Sequence, residues 1–429
     1  MTMAFFIAAC GNLATATPIP FEIAGRPAEQ TLTELTTYGF THQRPDGNRY
    51  VPGRSSFPNV QHLDIPLDGP PEWVAAAPYK GGTLWVTVAR DGDVQGFLVE
   101  DRRISDVAIT PTKLPGGTPP LLAVTEDEAF LVTPPTGLGS ELTHPVPLGE
   151  SGRLASIGPD RLVIRQGGAL LAELPLDPLP DTRLLVDEEE RRRLLAGPSE
   201  RYPHGIAGDR LEATDILLAD TTEYPKILQS IPIPREAVVE GISPIWADLD
   251  GDGQREIIVT QSDAAQGVQV VVYSESGDLL AKGPAVGRGN RWRHQISVAP
   301  FGPNGDVELA EVLTPHIGGI AGFYRMEGNS LELAAQQGGV TTHAIGFRNL
   351  DMGLAADLDG DGQSELVIFN QSFDTLTALR RTEDGTDTAW SIQLGAKAKT
   401  NLATAVSNDG GISVSVGLDG QTLRVWAAP

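Results

Sequence analysis

Two nine-residue stretches hold the chain's densest set of chemically capable side chains. Residues 248–256 read D-L-D-G-D-G-Q-R-E and residues 357–365 read D-L-D-G-D-G-Q-S-E, identical at eight of nine positions. Each sets carboxylates at loop positions 1, 3, 5 and 9: Asp248, Asp250, Asp252 and Glu256 in one, Asp357, Asp359, Asp361 and Glu365 in the other. A hard cation such as Ca²⁺ takes about six to eight oxygens at roughly 2.3–2.6 Å, and alternate side chains of a tightly wound loop can converge to supply them. Gly253 and Gly362, at position 6, permit the left-handed turn that folds the later ligands back over the ion. The chemistry expected is coordination of two calcium ions. The alternative is an acidic Asp-Gly hairpin without an ion.

The elements that must position these side chains follow from their flanks. An EF-hand would place a bidentate glutamate at loop position 12 between two helices. Position 12 is Val259 in one copy and Ile368 in the other, and neither can be a ligand. Ile257-Ile258-Val259-Thr260 and Leu366-Val367-Ile368-Phe369 follow the acidic runs, while Pro244-Ile245-Trp246-Ala247 and Gly353-Leu354-Ala355-Ala356 precede them. These β-branched and aromatic runs read as strands. Each loop is therefore expected at a hairpin turn.

D-x-D-G-D-G-x-x-E between two strands resembles the calcium loop of FG-GAP and VCBS repeats, the units of integrin-α-type β-propellers. The close match covers the chain from about Gly241 onward. The resemblance implies Asp248, Asp250, Asp252, Glu256 and the Gln254 carbonyl as ligands of one ion, and Asp357, Asp359, Asp361, Glu365 and the Gln363 carbonyl as ligands of the other. In that family the ion mainly braces a blade.

Internal repetition points the same way. Residues 299–308 align with the first loop but lack its aspartates, leaving Asp306 and Glu308, and read as the same turn without a metal. Further strand–turn–strand units are expected around Gly82, Asp127, Asp160, Asp209 and Asp409, and periods of about 40–55 residues built from short strands mark propeller blades. Outer strands are expected at 142–148, 169–176, 227–234 and 390–394. The final unit stops after a third strand at 422–426, and the segment 62–67 is expected to complete it and close the ring. The reading is all-β: a β-propeller of eight blades, with seven as the alternative. Residues 1–25 read as an export signal and tether, 26–58 as an N-terminal extension and 59–429 as a single propeller. Residues 177–202 read as an insertion between blades, in which 187–195 would form a short charged surface helix.

A net charge of −24 excludes a nucleic-acid partner, which requires a basic footprint. It suits a soluble exported protein or a cationic partner. The single cysteine, Cys10, follows Phe5-Phe6-Ile7-Ala8-Ala9 and precedes Gly11, a run that resembles the end of a bacterial lipoprotein signal. That resemblance implies lipid attachment at Cys10, a periplasmic or outer-membrane location, and tethering to the membrane without spanning it. No Lys or Arg precedes the run, so an upstream start is expected to supply the basic region. Export would expose the loops to millimolar-range calcium.

A second polar group comprises Arg291, Trp292, Arg293 and His294, then His316, then His343 and Arg348. Repeat alignment sets Arg291 opposite Arg348 and His294 opposite Asp351, ahead of the inner strands, at one mouth of the central channel. Arginine can bind a carboxylate bidentately and tryptophan can stack on a sugar ring. Two functions follow. One is a non-catalytic, monomeric scaffold that recognises an envelope protein or glycan. The other resembles propeller polysaccharide lyases, with His294, His316 or His343 as base and Arg293 or Arg348 stabilising the developing charge. No Gly-x-Ser-x-Gly, zinc-spaced His/Cys set or phosphate loop is present.

Overall fold

The computed structural model describes residues 36–39 and 46–428, apart from 135–136, 150–151, 167–168, 203 and 223. Cys10 and the whole expected export signal lie outside the described residues. Within them the chain forms β-strands and one 3-10 turn, Phe57–Asn59, with no helix long and apolar enough to cross a membrane.

The two acidic runs sit at hairpin turns. Ile245–Ala247 pairs antiparallel with Glu256–Asp263 across the first, and Leu354–Asp357 pairs with Glu365–Asn370 across the second. Both exit strands are buried on both faces, and each carries a run of consecutive apolar residues, Ile257-Ile258-Val259 and Leu366-Val367-Ile368-Phe369.

Seven hydrogen-bonded sheets are present among the described residues. One of them joins two antiparallel units through a single parallel pairing of Lys282 with Ser330. Apolar clusters then link each unit to the next in chain order. Leu84 and Val86 meet Leu122 and Leu131, and Leu121 and Val132 meet Leu154. Ala155 and Leu162 meet Leu194 and Leu217, and Leu195 and Ile216 meet Trp246 and Ile257. Ile258 and Val272 meet Val298 and Leu309, and Ile296 and Ala310 meet Ala355 and Leu366. Val367 and Phe369 meet Val414 and Val416. The last unit returns to the first, with Ala403 and Leu423 against Val74 and Trp85. Packing that runs in a closed cycle defines a β-propeller.

The ring closes as its C-terminal strands imply. Leu63–Pro66 pairs antiparallel with Thr422–Trp426, and Arg424 grips Asp64 through two bonds of 2.7 and 2.6 Å. The exposed edge that a three-stranded final sheet would present is thereby covered.

Several expectations are corrected. Residues 187–195 are not a surface helix: Leu185–Val186 and Arg191–Ala196 are neighbouring strands of a four-stranded sheet that also holds Asp215–Asp220 and Lys226–Pro232. The segment 177–202 therefore supplies part of a blade and does not interrupt the series. Arg192 and Arg193 are both buried, and Arg193 lies over the Trp246 ring at 4.5 Å, a cation–π contact that accommodates a charge inside the sheet packing. Val146–Leu148 is the first strand of its sheet, not an outer strand, and the turns at Asp160 and Asp209 join second and third strands.

The described part of residues 26–58 is integral to the ring, not an extension ahead of it. Thr36–Gly39 pairs with Leu121–Val124 and Tyr50–Arg54 runs parallel to Leu354–Asp357. From Asp46 onward the chain crosses successive inner strands as a strap. Asp46 accepts the Trp246 N–H at 3.0 Å, the Asn48 amide donates to the Val298 carbonyl at 2.8 Å, and Arg49 accepts the Ala355 N–H at 2.9 Å. Arg54 then donates to the Gly410 carbonyl at 3.1 Å, and buried Phe57 rests against Trp390 and Trp426.

Candidate functional site

The two acidic loops share one hydrogen-bond pattern. In the first, Asp248 accepts the N–H groups of Gly251 and Gly253 at 2.7 and 3.0 Å, Asp250 accepts that of Asp252 at 3.1 Å, and Asp252 accepts that of Gln254 at 2.7 Å. In the second, Asp357 accepts from Gly360 and Gly362 at 2.7 and 3.0 Å, Asp359 from Asp361 at 3.1 Å, and Asp361 from Gln363 at 2.9 Å. The closing glutamates behave alike, with Leu249 N–H donating to Glu256 at 2.7 Å and Leu358 N–H to Glu365 at 2.9 Å. Gly253 and Gly362 adopt φ of 87° and 94°, the left-handed conformation their position requires.

These turns gather oxygens that can hold a metal ion. Ligand atoms of Asp357, Asp359, Asp361 and Glu365 lie within 4.8 Å of one another, as do those of Asp248, Asp250 and Glu256. Asp252 stands outside the first group; its second oxygen takes the Gln254 side-chain amide at 3.2 Å. The Gln363 amide instead braces the backbone, donating to the carbonyls of Phe301 and Arg381 at 3.0 and 2.8 Å. Arg380 reaches in to pair with Asp361 and, at 3.4 Å, with Asp359. The donor set fits a hard cation because it is all oxygen and because Glu365 Oε1 is buried with no donor opposite it.

Burial pushes the Glu256 carboxyl up to about 7, opposed by the Leu249 N–H and reinforced by Asp250, Asp248 and Asp252. Burial likewise pushes Glu365 up to about 8, opposed by the Leu358 N–H and reinforced by Asp359 and Asp357. The third turn shows what happens where the aspartates are missing. Glu308 is as deeply buried as Glu365, but Arg325 donates to one of its oxygens at 2.9 Å and Arg381 to the other at 2.9 Å. Arg325 also pairs with Asp306 at 3.0 Å. Protein cations neutralise Glu308, whereas no ion pair reaches Glu256 or Glu365 among the described residues.

The second polar group converges only in part. Arg291 is exposed. Arg293 pairs with buried Glu311, with the Tyr324 hydroxyl at 3.0 Å and with the Pro284 carbonyl at 3.1 Å. Arg348 pairs with Asp181 at 3.1 Å and Asp209 at 2.7 Å. Buried Trp292 does meet the histidines, stacking on His294 at 4.6 Å and lying 6.0 Å from His316 and 5.2 Å from His343. His294 Nδ1 is 2.9 Å from the Thr342 hydroxyl. His316 Nε2 is 2.7 Å from His343 Nδ1.

Two groups here have partners that the sequence reading did not supply. Fully buried Asp351 is held by Arg49 of the strap at 2.6 Å and by Arg183. Burial works against its charge, but Arg183 and Arg49 hold the carboxyl below the usual range. His204 sets Nδ1 2.6 Å from Glu240, whose other oxygen accepts the Ser262 hydroxyl. The residues come from distant segments, and no local spacing announces them.

Comparison with known proteins supports the fold and goes no further. No protein-family model and no curated relative matches the chain. Among solved structures, a europium-containing methanol dehydrogenase superposes with a TM-score of 0.52 at 8% identity, covering 91% of this chain and 90% of its own. The propeller architecture is shared. BBS1N, solved in complex with ARL6DN, gives a TM-score of 0.47 at 11% identity, covering 88% of this chain and 98% of its own.

Proposed function

We propose that the protein is a non-catalytic, calcium-braced β-propeller of the FG-GAP/VCBS type, working as a protein- or glycan-binding scaffold of the bacterial cell envelope. The packed units are read as eight blades. Calcium would be held by Asp248, Asp250, Asp252, Glu256 and the Gln254 carbonyl, and by Asp357, Asp359, Asp361, Glu365 and the Gln363 carbonyl. The observation that carries the calcium reading is the contrast among three equivalent buried glutamates. Glu308 has guanidinium partners, while Glu256 and Glu365 have aspartates in their place. A buried carboxylate without a countercharge is costly, and a divalent ion supplies that countercharge.

The envelope reading rests on Cys10 and its apolar lead-in, which would carry lipid and tether the ring. Cys10→Ser should move the protein from the membrane to the soluble fraction; unchanged fractionation refutes the anchor. Binding would be tested by pulldown from envelope extract with and without calcium, and a partner retained equally in chelator would break the link between metal and recognition.

The lyase-like reading is the weaker one for a specific reason. It needs free cations beside a basic histidine, yet Arg293 and Arg348 are each engaged by carboxylates. Burial also lowers His316 to about 4 and His343 to about 3, far from the range of an efficient general base near neutral pH. Ultraviolet-absorbing unsaturated products released from an acidic polysaccharide would reinstate it.

A further inference from the structure

The two acidic loops are near copies in sequence and in hydrogen bonding, but they keep different company. At the second loop the strap lies directly on the acidic turn. Arg54 pairs with Asp357, the Ser55 N–H donates to the Asp357 carbonyl at 3.0 Å, and the Phe57 N–H donates to the Leu358 carbonyl at 2.8 Å. At the first loop, among the described residues, no strap N–H reaches the Asp248 or Leu249 carbonyl. There the strap meets the Trp246 N–H and the Arg255 guanidinium through Asp46, the latter at 3.5 Å. The glycines at loop position 4 record the same difference. Gly251 and Gly360 adopt φ of 80° and 81°. A methyl group on Gly251 would meet nothing within 4 Å, whereas one on Gly360 would lie 2.8 Å from the Ser55 carbonyl oxygen.

What rests on the second loop is the seam of the ring. On its other side Arg54 donates to the Gly410 carbonyl of the final unit at 3.1 Å, and buried Phe57 sits 4.9 Å from the rings of both Trp390 and Trp426. The chain then continues into Leu63–Pro66, the strand that covers the Thr422–Trp426 edge. We propose that the second acidic loop locks this seam: its cation fixes the Asp357–Leu358 backbone on which residues 54–57 are seated, whereas the cation of the first loop braces only its own blade. The proposal rests on the calcium reading given above and assigns different duties to its two sites.

The coupling runs through one residue. Asp357 offers its carboxylate to the ion and its carbonyl to the Ser55 N–H, so whatever fixes the side chain also fixes the strap's acceptor. Without the ion, ligand oxygens of Asp357, Asp359, Asp361 and Glu365 remain within 4.8 Å of one another, and Arg380 offsets only one of the aspartate charges. Like charges so close repel, and the turn spreads. The Asp357 and Leu358 carbonyls then leave the Ser55 and Phe57 N–H groups. The same spreading at the first loop disturbs no strap N–H, because none is bonded to Asp248 or Leu249.

The test uses the full-length protein and matched variants at the two loops. Calcium uptake is titrated calorimetrically. The seam is read by hydrogen exchange on peptides covering residues 53–68 and by trypsin cleavage after exposed Arg54. In the wild type, chelator should speed exchange of the Ser55 and Phe57 amides by about thirtyfold, the combined worth of two backbone hydrogen bonds. Asp250→Ala and Asp359→Ala should each lose one ion, but in calcium only Asp359→Ala should show the fast exchange and the cut after Arg54. Gly251→Ala and Gly360→Ala carry the same left-handed strain, and only Gly360→Ala should loosen the seam. No calcium uptake by the wild type would overturn the calcium reading and this proposal with it. Calcium uptake with the seam equally protected in calcium and in chelator would overturn the lock alone, and this comparison needs no variant to fold. Equal loosening by Asp250→Ala and Asp359→Ala, or by the two glycine variants, would do the same.

Discussion

Replacing Glu365 with glutamine should have opposite effects with and without calcium. Glutamine keeps an oxygen for the Leu358 N–H but cannot carry charge. In chelator, the wild-type folded state holds a proton on Glu365 up to about pH 8, whereas the unfolded chain releases it near 4.5. The folded-state affinity for the proton is raised, so stability of the ion-free form falls as pH rises from 4.5 to 8. At about 1.4 kcal/mol per pH unit, the penalty reaches roughly 3 kcal/mol at pH 7. Glu365→Gln removes that penalty and should melt higher than wild type in chelator, by an amount that vanishes at pH 4.5. In millimolar calcium the order should reverse, because an ion present at about a thousand times its dissociation constant stabilises the wild type by about 4 kcal/mol, more than the penalty at pH 7. Thermal melts by circular dichroism at pH 4.5 and 7, with chelator and with calcium, give the four comparisons. The same ranking of the two proteins in all of them would refute the argument that Glu365 awaits a cation.

Other outcomes follow from the same geometry. Arg381→Met should destabilise the fold by about 3–5 kcal/mol in denaturant titration, equally with and without calcium, because it strips a guanidinium from buried Glu308. Asp351→Asn leaves Arg49 and Arg183 without their carboxylate and should cost a similar amount. Its carboxyl is depressed in the folded state, so the wild-type advantage should persist above about pH 4 and fade only as pH falls below it. Deleting residues 1–67 should expose the Thr422–Trp426 edge and produce aggregation detectable by light scattering; a monomeric, fully folded product would show that Leu63–Pro66 is dispensable.

The parts legible in the sequence were those whose signals are local. Aspartates at fixed offsets, glycines at the left-handed position and apolar runs on either side specify a hairpin with converging oxygens, and the structure forms it twice. Ring closure was legible because Thr422–Trp426 needs a partner and residues 62–67 match the pattern of an outer strand. The charged run at 187–195 misled because Glu-Glu-Glu-Arg-Arg-Arg satisfies helical charge pairing. Nothing local discloses that Trp246, more than fifty positions later, receives the Arg193 guanidinium. The second polar group was half legible for the same reason. Trp292, His294, His316 and His343 meet as the alignment implied, but Arg293 is drawn aside by Glu311, and Asp351 is engaged by arginines from positions 49 and 183.

The strap has a mechanical consequence. Traction on the chain from its N-terminal side would reach the pairing of Thr36–Gly39 with Leu121–Val124 first, then the Asp46–Trp246 bond, then Asn48 on Val298 and Arg49 on Asp351, and only afterwards Leu63–Pro66. Each earlier link can rupture and re-form while the closing strand stays seated. A protein moored by that end would yield stepwise under load before its wheel could open.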